Sequence, residues 1–230
     1  RAAPGGGYCL GSGNSVADYV KFDNYWAMRE ATIQSQLGHI QVTRPGFHQA
    51  GASAPFDYLL PDRSPVRAAI ETTPGVKLVA PRLAVTGLVS HGETTVSFIA
   101  DGVDPAKEAA LSKALRIVEG NDLSASNTQE VILGRGLART LGVGPGATVA
   151  LLATTGAGGI NAVEARVSGV FVSANQAYDD TALRLPIGLS QTLLRAKGAH
   201  HWLVLLEETG QTDRFLAQFH ARFPARDTGL

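Results

Sequence analysis

Cysteine is almost missing from this chain. Cys9 stands alone among 230 residues, which excludes an intrachain disulfide and a thiolate metal cluster. An excess of either charge is missing too. Twenty basic and twenty acidic side chains cancel, and no long run of one sign occurs. Net charge therefore draws the chain neither to nucleic acid nor to an anionic membrane surface. No apolar run reaches the roughly 18–20 residues that a membrane helix needs. There is no Gly-x-Ser-x-Gly elbow, no Gly-Lys-Ser/Thr, no HExxH and no His-x-x-x-His pair, which leaves hydrolytic, P-loop and zinc chemistry poorly supported. The first residue is Arg1 rather than Met, so the sequence reads as a piece of something longer.

What is present describes an ordinary globular core. The chain is 44% hydrophobic and 17% charged, with 26 glycines for turns and close packing. Its length suits one large domain or two small ones. Residues 1–13, RAAPGGGYCLGSG, are glycine-rich and predicted to be loose. From Asn14 to Leu37 neither Gly nor Pro occurs, and Asn14 or Ser15 can cap the start, so one long helix is predicted. Tyr19, Phe22, Tyr25 and Trp26 crowd its first half. They fit aromatic core packing, and they also fit a belt at a membrane interface.

Beyond Gly38 the pattern shortens. His39–Arg44 alternates as a strand, and Ser64-Pro65 opens a helix to about Ile70. Val76–Ala80 begins a strand that Pro81 is expected to interrupt or end, with Arg82–Ser90 extended beyond it. His91-Gly92 turns into the strand Thr94–Ala100. Asp104-Pro105 starts a helix with Glu108 near its positive end. Ile117–Asn127 reads as loop. Val131–Leu152 then reads as strand, helix and strand between glycine turns, with Leu137, Leu141 and Val143 facing inward. Thr154–Asn161 makes a hairpin loop into Val163–Val172, where Gly169 marks a bulge or bend. Leu183–Leu185 is a short strand ended by Pro186, Ser190–Ala196 a helix closed by Gly198, and Trp202–Leu206 a buried strand. Thr212 caps a last helix with Phe215, Phe219 and Phe223 on one stripe.

The chemistry these elements could carry is thin. Gly134-Arg135-Gly136 lies between a strand and a helix, where a dinucleotide fingerprint belongs. Yet Arg139 fills the third, small position, and no acidic residue follows at the ribose-gripping distance. His39, His48, His91, His200, His201 and His220 read as surface or turn residues. His200 and His201, adjacent at a strand start, point to opposite faces. Asp179-Asp180 reads as a turn ending a strand. Cys9 lies in a loose segment, unsuited to a preorganised nucleophile. No catalytic, cofactor-binding or metal residue is assigned on these grounds.

Several phrases occur in a telling order: AMREATIQSQLGHIQVTRPG at 27–46, PGVKLVAP at 74–81, FIADGVDP at 98–105, Glu119-Gly120 followed by Val131–Val149, Val167–Asp180, and Leu185–Leu194. Together they resemble the extracytoplasmic core domain of MacB/FtsX-like ABC-transporter permeases, a class that includes lipoprotein-releasing LolC/LolE-type relatives. That resemblance implies an α+β, two-lobed domain on the periplasmic side of the bacterial inner membrane. A discontinuous porter-like lobe would comprise residues 14–106 and 199–230, with the N-terminal helix as its stalk. A strand-rich sabre-like lobe, 107–198, would be inserted, and residues 1–13 would be a flexible or altered segment. The resemblance departs in two places: GGGYCLGSG stands where a membrane helix is expected, and Ala147 where Asp often follows Gly146. It implies a non-enzymatic part with no cofactor of its own, since ATP belongs to a separate cytoplasmic ATPase. A periplasmic adaptor, a lipoprotein carrier, a small-molecule or peptide cargo and a dimeric parent transporter are the implied partners. Two other readings stay open: a cytosolic α/β nucleotide-binding enzyme using Gly134–Gly136, and a free-standing envelope binding protein.

Overall fold

One strand, β2 (Val76–His91), runs through both halves of the molecule. A computed structural model describes residues 38–51, 53–111 and 115–222. The expected helix over 14–37, its aromatic cluster, Cys9 and Phe223 lie outside the described residues. The other strands are β1 (Ile40–Thr43), β3 (Thr94–Val103), β4 (Arg116–Gly120), β5 (Glu130–Gly134), β6 (Thr148–Thr154), β7 (Ile160–Val172), β8 (Ala182–Pro186) and β9 (His201–Leu206). The helices are α1 (Phe47–Ala50), α2 (Pro65–Glu71), α3 (Pro105–Leu111), α4 (Arg135–Leu141), α5 (Gln176–Asp179), α6 (Ile187–Leu194) and α7 (Thr212–Arg222).

The first half of β2 pairs with β9, from Val76↔Leu206 to Arg82↔His201, and β9 pairs with β1. From Arg82 onward β2 pairs with β3 through a tight hairpin, His91↔Thr94, whose Gly92 has φ 57. β3 then runs parallel to β8, β8 antiparallel to β5, β5 parallel to β7, and β7 antiparallel to β6. β6 returns to β2 at Leu88↔Leu152, so β2, β3, β8, β5, β7 and β6 close into a barrel. Closure removes the edges that these strands would otherwise expose. β4 adds to the outer side of β7.

The barrel parts of β2 and β3, with β6 and β7, alternate between core and surface, whereas β5 and β8 are buried on both faces. On β2, Val85 and Val89 are buried while Thr86 and Leu88 are exposed. The interior holds Val85, Phe98, Leu133, Leu151, Val167 and Leu183, and Leu137 of α4 and Leu193 of α6 pack onto the same core. Gly87 faces inward, where a Cβ would press on the Leu152 carbonyl and the Phe98 ring. A second core joins β1, β9 and the first half of β2 to α2 and α7 through Ile70, Val79, Trp202 and Phe215. Trp202 is fully buried; an indole of roughly 200 Å² removed from water contributes about 5 kcal/mol. Across the sheet, α3 lays Leu111 on Ala80, Leu203 and Leu205. The architecture is α+β and two-lobed, as anticipated, and β2 carries residues of both cores, Val79 in one and Leu83 in the other.

Local chemistry sets the element ends. Ser64 accepts the Val66 amide at 3.2 Å ahead of Pro65, and Asp104 accepts the Ala106 amide at 3.2 Å ahead of Pro105. Gly142, with φ 67, closes α4. The bulge expected at Gly169 is present, as the β5 ladder skips Ser168 and resumes at Gly169.

Four local expectations are corrected. The region expected to be loop contains β4, a strand defined by its partner β7 rather than by its own short sequence. Pro81 does not end β2, because it sits where the β9 ladder gives way to the β3 ladder. The helix expected from Ser190 begins at Ile187, immediately after Pro186. It ends at Arg195, left-handed at φ 49, rather than at Gly198.

Candidate functional site

Charged side chains meet inside the molecule at the place where β2 changes partners. Arg82 opposes Val103 on β3, and Arg184 of β8 opposes Asp101, two residues back along β3. Residues two apart share a strand face, so both guanidiniums rise from one side of the sheet. α3 crosses that side. Its Glu108 Oε1 accepts from Arg82 Nη2 at 2.8 Å and Arg184 Nη1 at 3.1 Å, and all three residues are at least 94% buried. Arg82 Nη1 and Glu108 Oε2 have no hydrogen-bond partner.

The surroundings are charged as well. Burial raises the Tyr178 pKa and Asp101 adds to it, against the opposing pull of Arg184. Burial disfavours the Arg184 cation, but Glu108, Tyr178 and Asp101 outweigh it, so its pKa is raised. One carboxylate gripped by two guanidiniums fixes a helix to two strands; it presents no nucleophile and no free base to a substrate.

Among the described histidines His200 departs from the surface reading, while His48 is exposed and His39, His91 and His201 are partly buried. His200 is 4% exposed, and its Nδ1 accepts the Ala84 amide at 3.0 Å while its own amide donates to the Arg82 carbonyl at 2.8 Å. His39 is likewise structural, accepting the Leu206 amide at 3.0 Å and meeting Thr209 Oγ1 at 2.8 Å. Burial pushes His200 below its usual pKa, against the backbone of Pro55, and pushes His201 down to about 4. The unfolded chain takes up these protons near pH 6.5, whereas folded His201 does so only near pH 4. Acidification through that window therefore favours unfolding. Stability is expected to fall by about 1–3 kcal/mol between pH 6.5 and 4 in urea titrations. His201→Gln should flatten that slope.

The Gly134–Gly136 turn is occupied by the chain itself. A Cβ on Gly134 would collide with the Asp179 carbonyl, and one on Gly136 with the Asp180 carboxylate. The glycines admit α5, not a pyrophosphate. Asp179 accepts the Ser173 amide with both carboxylate oxygens at 3.0 Å, and the pair closes the short helix α5 between β7 and β8 rather than ending a strand. Gly134→Ala is expected to cost about 2–4 kcal/mol in chemical denaturation, because the atom it meets is backbone and cannot swing away.

Two clefts open on the surface of the described residues. One, about 590 Å³, is lined by Thr128, Gln129, Val163, Glu164, Gly188, Leu189 and Thr192. The other, about 310 Å³, lies between Asn121, Gly146 and Arg166, beside a Glu130 already engaged by the Ser124 amide and Asn127. Among the described residues, no three His, Cys, Asp or Glu side chains group as metal ligands, and no helix is long and apolar enough to cross a membrane.

Sequence reasoning placed Glu108 at a helix start and missed its partners, which lie 26 and 76 positions away. A signal was available. Arg184 is the one charge in ALRLP, an otherwise apolar strand, and a charge in that setting needs a buried partner.

The fold defines a class: a closed barrel sharing the strand β2 with a second α+β lobe. The family model for the MacB-like periplasmic core domain matches residues 23–222, and the chain belongs to that family. Among solved structures, the extracellular domain of the noncanonic ABC-type transporter YknZ from Gram-positive bacteria is similar, with a TM-score of 0.54 and 15% identity. It matches 79% of this chain and 93% of that one. The periplasmic region of MacB from Actinobacillus actinomycetemcomitans is similar at a TM-score of 0.53 and 14% identity, covering 79% and 83%. No curated protein sequence matches the chain significantly. The protein is a periplasmic core domain of a MacB/FtsX-like ABC-transporter permease.

Proposed function

We propose that the domain works on the periplasmic side of the bacterial inner membrane as a non-catalytic body. It passes the work of a cytoplasmic ATPase to a cargo or to a periplasmic partner. The observation that carries this reading, beside family membership, is that the buried charge forms a cross-link between elements and not a reaction centre. ATP is bound by a separate subunit or domain of the parent transporter, and this chain needs no cofactor. The division into a porter-like lobe, 14–106 with 199–230, and a sabre-like lobe, 107–198, is part of the proposal. Its first boundary falls within α3. The partners are the ATPase, reached through the parent permease, and either an adaptor or a lipoprotein carrier, in a dimeric transporter.

Affinity purification of the parent permease from its native membrane, followed by identification of what co-purifies, tests this. An ABC ATPase together with an envelope protein is expected. Recovery without any ATPase would overturn the reading. Against a nucleotide-binding enzyme stands the filling of the Gly134–Gly136 turn by Asp179 and Asp180. Titration with NAD or ATP is expected to leave the thermal midpoint unchanged.

A further inference from the structure

The β1–β9 lobe and the barrel lobe, which takes in β3 and the second half of β2, share only part of their backbone pairing. On β2 the β9 ladder ends at Arg82 as the β3 ladder begins, and Pro81, lacking an amide donor, sits at that changeover. Helix α3 spans the same place, and two successive residues of it reach in different directions. Lys107 Nζ donates to Glu71 Oε1 of α2 at 3.0 Å and to the Val79 carbonyl of β2 at 2.7 Å, both in the first lobe. Burial raises the Glu71 pKa, but Lys107 and Arg67 more than reverse this and hold it below the usual range, which keeps the pair charged. Glu108 meets Arg82 at the changeover and Arg184 on β8, a barrel strand. One turn on, fully buried Leu111 packs against Leu203 and Leu205 of β9.

We propose that α3 is the coupling bar between the lobes, with Lys107 and Leu111 gripping the β1–β9 lobe and Glu108 gripping the barrel through Arg184. A load on one lobe then reaches the other through side chains where the backbone ladder changes hands. The use of such a bar rests on the transmission reading above. Its existence is testable on this chain alone, without ATPase or membrane, so the two can fail separately.

Hydrogen exchange measured by mass spectrometry reads the coupling. Leu137→Ala opens the barrel core. With α3 intact, it is expected to speed exchange in β9, residues 201–206, by the same factor as in β5 and β7, about thirtyfold or more. In a Glu108→Gln background the barrel should still respond, while β9 moves by less than about twofold. Lys107→Met, at a partly exposed site, cuts the other grip and should give the same separation even if Glu108→Gln does not fold. A merely structural role would speed exchange everywhere and leave the two lobes responding together. Retention of the full β9 response in either variant overturns the proposal.

Discussion

Leu137→Asp is expected to leave the chain unfolded at 25 °C. Leu137 is 1% exposed and packs in the barrel core beside Leu141 and Leu133. Losing a buried leucine costs about 2–5 kcal/mol. Placing an unpaired carboxylate in its space adds several more, or forces its protonation. A domain of this size is stable by only about 5–15 kcal/mol, so the change removes most of that or all of it. Far-ultraviolet circular dichroism with a urea titration checks it. Arg135→Ala, two residues earlier at the exposed start of α4, should shift stability by less than about 0.5 kcal/mol. A folded Leu137→Asp chain would show that α4 does not pack inward.

Val131–Leu152 was legible because each of its signals is local. Short apolar runs give β5 and β6, glycine punctuation bounds α4, and the 3.6-residue period picks out Leu137 and Leu141. The same holds for β1, α2, the β2–β3 hairpin and β9. Barrel closure was not legible, since Leu88↔Leu152 joins residues that no short pattern connects. β4 failed for a related reason: five residues with two apolar side chains become a strand only because β7 offers an edge. The glycine turn shows the limit from the other side. Arg139 argues against a phosphate loop, but only the collision of a Gly136 Cβ with Asp180 shows what the glycines are for. His200 was misread because a histidine at a strand start carries no mark of burial. Its function as an acceptor for Ala84 depends on β2, more than a hundred positions earlier.

Glu108→Leu alone and the triple change Arg82→Met, Glu108→Leu, Arg184→Met should differ sharply. The single change leaves two guanidiniums buried with their shared carboxylate gone, and breaking a buried ion pair on one side costs about 3–5 kcal/mol. Arg82, at 3% exposure, cannot swing its charge to water without disturbing the changeover from β9 to β3. The triple change removes all three charges together and substitutes side chains of similar volume. Two buried polar atoms already lack partners, Arg82 Nη1 and Glu108 Oε2, so the native network carries a desolvation cost that the apolar set would not. Urea unfolding should therefore place the triple variant within about 1.5 kcal/mol of the wild type, or above it, while the single variant is well below. The comparison separates stability from purpose. If the apolar triad is as stable as the charged one, the charges are not there to hold the fold, and a network that could have been apolar has to be explained by the directional grip it gives α3 on β2 and β8. A triple variant as unstable as the single one would instead make Arg82, Glu108 and Arg184 ordinary supports of the core.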